Sequence, residues 1–273
     1  MRKEYLLPGL AVVGGAAGLA LRRWQLTTAL EPDTGLPIAG RPATYAFWGL
    51  TILMAALLIL LSVKMAKGIP ASYNEVFRCR SFGCLLAVSA AGFLTVIAGV
   101  FALTERVETG MSLLKVLLGL FLVLSGGCIL VIGKSNYRGE GKGTRSLLLL
   151  APPFACCIWL LSSYRGWARD PVLRDYAVMM LAIMCGMMAH YFIACLSFEK
   201  ARGVPACAAG LLAVYFSLAT LTDGHTRSDL LLLAALILYM TASVYALLRQ
   251  REPESAGQIP SADSENPEKE DLP

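Results

Sequence analysis

The sequence LSVKMAKGIPA at residues 61–71 and the sequence LSFEKARGVPA at residues 196–206 match at six of eleven positions. Each copy follows a long apolar run, carries basic residues, and contains a glycine (Gly68 or Gly203) with a proline two residues later. Glycine is common just after a helix ends, and proline cannot continue a helix. Each stretch therefore predicts that a membrane helix ends there, on the side of the membrane where positive charge collects.

Further short matches keep the same order in both halves of the chain: residues 22–24 with 165–167, 85–88 with 211–214, and 103–105 with 221–223. The offset between the copies falls from 143 to 118 residues, as expected if the loops of the second half are shorter. We interpret the pattern as an internal duplication of four membrane helices. The alternative is that a good helix-stop signal arose twice. In a duplication, a pseudo-twofold axis along the membrane normal would relate the halves.

Composition places the chain among membrane proteins. Of its 273 residues, 56% are hydrophobic and only 16% are charged, and the mean hydropathy is +0.62. The runs long enough to cross a ~30 Å hydrocarbon layer as helices are residues 5–21, 44–63, 82–103, 111–133, 146–164, 176–198, 204–222 and 230–248. The predicted fold is all-α: a polytopic membrane helix bundle of about eight transmembrane helices with a 4+4 parallel internal repeat.

Charge and composition predict the domain organisation and the topology. The first half is 1–133, a basic cytoplasmic linker is 134–145, the second half is 146–251, and a disordered acidic cytoplasmic tail is 252–273. The side of the membrane that holds both termini has fifteen Lys and Arg residues and the other side has eight. This bias predicts a multi-pass protein of the cell membrane with both termini in the cytoplasm. Because the basic residues collect at helix ends, the net charge of +5 does not indicate nucleic-acid binding.

The sixth predicted span carries the most unusual side chains. At helical spacing, Met184, Met187 and Tyr191 share one face, and His190 lies beside Met187. Thioether and imidazole groups suit a soft ion such as copper(I). Methionine is also an adaptable filler between helices, and no outer Met- or His-rich loop exists to collect metal. We therefore predict neither a metal nor a cofactor, and treat the four residues as candidate solute-binding groups.

Two consecutive prolines, Pro152 and Pro153, lie in the fifth predicted span. They remove two backbone donors and should break or kink the helix, and discontinuous membrane helices often line a site. The alternative is that they occupy the first turn of a helix, where proline is tolerated. We include both prolines among the candidate site residues.

Ser125 in the fourth predicted span lies at about the depth of His190 and precedes two glycines. A serine and a histidine on two membrane helices suggest an intramembrane hydrolase, which requires the two side chains within hydrogen-bond reach. Small residues that allow close helix packing explain Ser125 better. We assign no catalytic residue and do not predict an enzyme.

The leading functional hypothesis is a permease-like transporter of a small, largely uncharged or soft solute, with its site between the two halves. The alternative is a non-catalytic membrane interaction or sensor protein, which would be a packed bundle without a cavity. The expected partners are the lipid bilayer, a small solute and, in the alternative, another membrane protein.

Overall fold

The structure is a computed structural model that describes residues 3–31, 36, 38–67, 73–77, 81–104, 113–139, 145–167, 173–198, 200 and 203–249. Within these residues the chain forms helices and no strand. The helices are α1 (Lys3–Thr28), α2 (Pro42–Met65), α3 (Tyr73–Phe77), α4 (Phe82–Thr104), α5 (Leu113–Arg138), α6 (Arg145–Leu148), α7 (Ala151–Trp167), α8 (Leu173–Ser197), α9 (Gly203–Ala219) and α10 (Arg227–Leu248). The predicted acidic tail lies outside the described residues.

Each of the eight predicted spans corresponds to one long helix, except that the fifth is divided between α6 and α7. Seven of the eight are long and apolar enough to cross a membrane, the fifth when Ser146–Gly166 is taken as one segment, and α9, at 17 residues, is a shorter apolar helix. The chain is therefore an integral membrane protein built as a polytopic helix bundle, as predicted. The two short helices, α3 and α6, lie before α4 and α7 in the chain.

The ends of the helices follow local sequence chemistry. Thr226 caps α10 by accepting a hydrogen bond from the Asp229 backbone N–H at 3.2 Å. Helix α5 runs to Arg138, five residues into the predicted linker, and stops at Gly139, whose φ of 71° requires the freedom of glycine. The sequence before Gly139 contains no helix breaker, so the linker begins later than predicted.

Helix α9 lies at the centre of the bundle. Eleven of its 17 residues are buried, and it packs against α1, α2, α8 and α10. The pairs α10–α4, α4–α5, α5–α7, α7–α8 and α8–α9 complete a ring of six helices, with α1 and α2 outside it against α9. A helix that is apolar on all sides is expected at such an interior position.

The helix contacts match the predicted duplication only in part. The pairs α1–α2 and α7–α8 correspond, as do α4–α5 and α9–α10. However, α8 packs closely on α9, whereas α2 and α4, the corresponding pair, make no comparable contact in the described part of the chain. The internal repeat therefore stays a prediction.

The second copy of the repeated stretch does not end a helix at Gly203. Helix α8 ends at Ser197, and Gly203 is the first residue of α9, with Pro205 in its first turn. Proline is tolerated there because the first N–H groups of a helix have no partner within the helix. A helix thus ends within this copy, as predicted, but Gly203 does not mark its end; the glycine and proline of the first copy lie outside the described residues.

Both ends of the described chain lie at one end of the bundle, which we call the terminal end. The Tyr5 and Tyr245 rings pack with centroids 5.2 Å apart, and their hydroxyl oxygens are 3.3 Å apart. An even number of crossings produces this arrangement. The opposite end of the bundle, where α9 connects to α10, is called the far end.

Helices α4 and α5 approach until their backbones touch. A Cβ atom on Gly99 would lie 2.8 Å from the Gly119 carbonyl oxygen, and one on Gly126 would lie 2.8 Å from the Gly92 carbonyl oxygen. Only glycine allows such contacts, which are typical of membrane helix interfaces.

We predict that Gly126→Ala lowers the free energy of unfolding by about 1–3 kcal/mol, because the added methyl group meets backbone atoms that cannot move aside. The matched control is Gly127→Ala, since a Cβ atom there meets nothing within 4 Å. Thermal unfolding of both variants in detergent measures the difference. Equal melting temperatures would show that the helices do not pack through Gly126.

A buried ion pair fastens α1 to the loop between α9 and α10. Arg22 Nε donates to Asp223 Oδ1 at 2.8 Å, and the two side chains are 3% and 11% exposed. The first predicted span ended at residue 21, but α1 continues to Thr28, so Arg22 lies within the helix and not after it. A hydrophobicity window cannot register a charge that is neutralised by a distant residue.

Removing one partner of a buried ion pair leaves the other uncompensated, at a cost of about 3–5 kcal/mol. We therefore expect Asp223→Ala to lower the melting temperature in detergent strongly. Adding Arg22→Met to the Asp223→Ala variant removes the stranded charge and should recover much of the loss. A double variant that melts below Asp223→Ala would contradict the role of the pair.

Candidate functional site

A cavity of ≈ 40 Å³ lies inside the ring of helices, and we call it the central cavity. Helices of the predicted first half, α4 and α5, form one wall, and helices of the second half, α7, α8 and α10, form the rest. The residues that line it are Thr95, Leu122, Ser125, Ile129, Pro152, Ala155, Cys156, Trp159, His190, Leu232, Ala235, Leu236 and Tyr239. The cavity has room for a few water-sized groups.

Two polar side chains in the cavity wall have unused hydrogen-bonding capacity. His190 is 6% exposed and stacks on Tyr239, with ring centroids 4.8 Å apart and an interplanar angle of 27°. Ser125 is 2% exposed. No hydrogen bond from the described residues reaches the Ser125 hydroxyl or either ring nitrogen of His190. Buried polar groups normally find partners, so these two are suited to hold a polar guest.

The fifth predicted span is interrupted just before its two prolines. Helix α6 ends at Leu148, α7 begins at Ala151, and Pro152 and Pro153 occupy the first turn of α7. The sequence left two alternatives, a broken helix and a proline pair in the first turn of a helix. Each is partly correct, because the helix is broken and the prolines lie in the first turn after the break. Pro152 lines the central cavity, whereas Pro153 is buried elsewhere in the packing.

The other candidate residues of the sixth span lie away from the cavity. Met184 and Tyr191 are 45% and 51% exposed on the outer surface of the bundle. Met187 packs against α7, with its sulfur 3.2 Å from the Cys157 sulfur. The structure therefore brings His190 and Pro152 together and separates them from the remaining candidates. Among the described residues, no three His, Cys, Asp or Glu side chains meet as a metal site.

Ser125 and His190 line the same cavity, but no hydrogen bond joins them in the described structure. A serine nucleophile needs a base within hydrogen-bond reach to take its proton. The arrangement lacks the contact on which the hydrolase hypothesis depends.

Sequence reasoning missed the aromatic residues that bound the cavity. Trp159 is 2% exposed, and its Nε1 donates to Asp229 Oδ1 at 2.7 Å in the first turn of α10. Tyr239 closes the cavity beside His190 and is 4% exposed. For Tyr239 the sequence did contain a usable signal: an aromatic hydroxyl in the middle of an apolar span must find a polar neighbour.

If water enters the central cavity, a small soft ion should reach Cys156, which lines it. We expect Ag⁺, added in chloride-free buffer to a protein that retains only this cysteine, to protect Cys156 from maleimide after denaturation. Thiolates form only where water reaches the sulfur. Cys128 is the matched control, because it is equally buried on α5 but does not line the cavity. Equal protection of both thiols, or of neither, would contradict a hydrated cavity.

Comparison with known proteins gives no match: no protein-family model, curated protein or solved structure is significantly similar to the chain.

Proposed function

We propose that this integral membrane protein is a permease-like transporter of a small uncharged or soft solute, and that the solute binds in the central cavity. The observation that carries the proposal is the position of the cavity. It lies between helices of the two predicted halves, and its wall includes His190 and Ser125, whose polar side-chain atoms receive no hydrogen bond from the residues that the structure describes. Transporter sites commonly lie at such an interface, near the middle of the membrane.

The chemistry of the cavity wall favours an uncharged solute. Among the described residues that line it, none is Asp, Glu, Lys or Arg. A hard ion would lose its hydration shell there without gaining an opposite charge, which is strongly unfavourable. A soft solute has a further contact in Cys156, a thiol residue that lines the cavity.

The interrupted fifth span supports the same site. The prolines at positions 152 and 153 have no backbone N–H, so the carbonyl oxygens four residues earlier, on Leu148 and Leu149, receive no helical hydrogen bond from them. Irregular backbone is tolerated at membrane depth where it is buried in protein or lines a cavity. Pro152 belongs to the cavity wall, which joins the break to the proposed site.

The volume of ≈ 40 Å³ favours a second candidate, a non-catalytic membrane interaction protein in which the cavity is a packing defect. Such a protein needs no path for a solute. It would bind partners through its outer helix faces, and its function would not depend on the polar groups of the cavity.

A flux assay separates the candidates. Proteoliposomes are mixed with hyperosmotic urea or glycerol, and solute entry is followed as reswelling by light scattering. We expect the protein to accelerate reswelling for at least one solute. His190→Phe keeps a ring for the stack on Tyr239 but removes both nitrogens. It should slow the flux about tenfold, the equivalent of one hydrogen bond of ~1.4 kcal/mol.

Tyr191→Phe is the matched control, because Tyr191 neighbours His190 in sequence but lies on the outer surface of the bundle. It should leave the flux unchanged. The interaction protein would be favoured if urea, glycerol and Ag⁺ all entered the proteoliposomes no faster than they enter protein-free vesicles.

A further inference from the structure

A second cavity, of ≈ 20 Å³, lies nearer the terminal end of the bundle, and we call it the inner cavity. It is enclosed by α3, α4, α5 and the last turns of α10. The residues that line it are Phe77, Cys84, Leu85, Val88, Ile132, Gly133, Asn136, Tyr137, Tyr239, Ala242, Ser243 and Ala246. Its volume is sufficient for one water-sized group.

One residue in the wall of the inner cavity, Asn136, has an unused hydrogen-bond acceptor. Asn136 Nδ2 donates to the Tyr73 hydroxyl at 3.1 Å, which holds the amide in place. The other end of the amide, Oδ1, is buried and has no hydrogen-bond partner among the described residues. Leaving such an oxygen unpaired is costly, so a guest that donates a hydrogen bond would be stabilised there.

One side chain separates the two cavities. Tyr239 belongs to the wall of both, is 4% exposed, and stacks on His190 in the central cavity. The two cavities therefore follow one another along α10, where it faces α4 and α5, with the Tyr239 ring between them.

We propose that Tyr239 is a gate between the central cavity and the inner cavity, and that the inner cavity is a second binding station for the same solute. The proposal rests on the function proposed above and narrows the solute to a neutral molecule that donates hydrogen bonds. In the closed state the ring rests on His190. When the ring rotates, the solute passes from Ser125 and His190 to the carbonyl oxygen of Asn136, and from there to the terminal end.

The gate is tested by silver protection of Cys156 in sealed vesicles, with Ag⁺ added only on the terminal-end side. Tyr239→Ala removes the ring and should raise the rate at which Cys156 is protected at least about tenfold, because water then reaches the thiol from that side. Tyr239→Phe keeps the ring and should leave the rate as in the wild type. If Tyr239→Ala does not fold, Tyr239→Val serves the same purpose.

Met240→Ala provides the matched control. Met240 is the next residue of α10 and is fully buried, but it lines neither cavity and lies near Gly210 of α9. Its truncation creates a void without opening the path. The gate is refuted if Met240→Ala or Tyr239→Phe exposes Cys156 as much as Tyr239→Ala does, or if neither truncation of Tyr239 exposes it.

The second station is tested by the flux of the transported solute. Asn136→Leu conserves the approximate shape of the side chain but removes the acceptor, and should slow the flux about tenfold, as expected for one lost hydrogen bond. Unchanged flux in this variant would overturn the second binding station.

The two proposals fail in distinguishable ways. If the wild type carries no solute while Tyr239→Ala still exposes Cys156, the transporter proposal and the second station fail, and Tyr239 remains a barrier between the two cavities. If the wild type carries solute while Tyr239→Ala leaves Cys156 protected as slowly as before, the gate fails alone.

Discussion

The ion pair between Arg22 and Asp223 fixes the level in the bundle at which α9 ends and α10 begins. A guanidinium this deeply buried is tolerated because it donates to a carboxylate, Asp223, and to a side-chain amide, Gln25. Arg22 also donates to Gln25 at 3.0 Å, and the second oxygen of Asp223 accepts from Thr220 at 2.7 Å. This network holds the loop between α9 and α10 beside α1, so that α10 starts below the ends of its neighbours. Ser228, at the start of α10, accordingly donates to the carbonyl of Ala98 at 2.9 Å, six residues before the end of α4.

The recessed start of α10 connects this network to the central cavity. It brings Asp229 within reach of the Trp159 indole, and this contact covers the cavity on the far side. On the opposite wall, the glycine contacts hold the backbones of α4 and α5 close together. The space that remains is bounded by a rigid helix pair, a broken helix and a ring of aromatic groups. Among the described residues, the Ser125 hydroxyl and the His190 ring nitrogens have no hydrogen-bond partner there, although membrane helices otherwise avoid such an arrangement.

The sequence was sufficient for features that depend on one helix at a time. Apolar runs located all eight long helices, and chemistry alone identified His190 and Pro152 as candidates for a site. The sequence was insufficient where the position of a side chain depends on another helix. Arg22 looked like a loop residue because its partner is 201 positions away. Met184 and Tyr191 looked like site residues because they share a helical face. Lipid and protein interiors are about equally apolar, so the sequence of α8 does not reveal which face meets other helices.

The position of α9 has a consequence for biogenesis. The first two helices pack chiefly on α9, which is the seventh long helix to leave the ribosome. At about 5–20 residues per second, Asp223 is synthesised some 10–40 s after Arg22. During this interval the nascent α1–α2 hairpin carries an arginine whose final counter-ion does not yet exist. The hairpin must therefore wait at the translocon, at the membrane surface or beside a chaperone until the penultimate helix arrives, and the late helices determine when the protein is assembled.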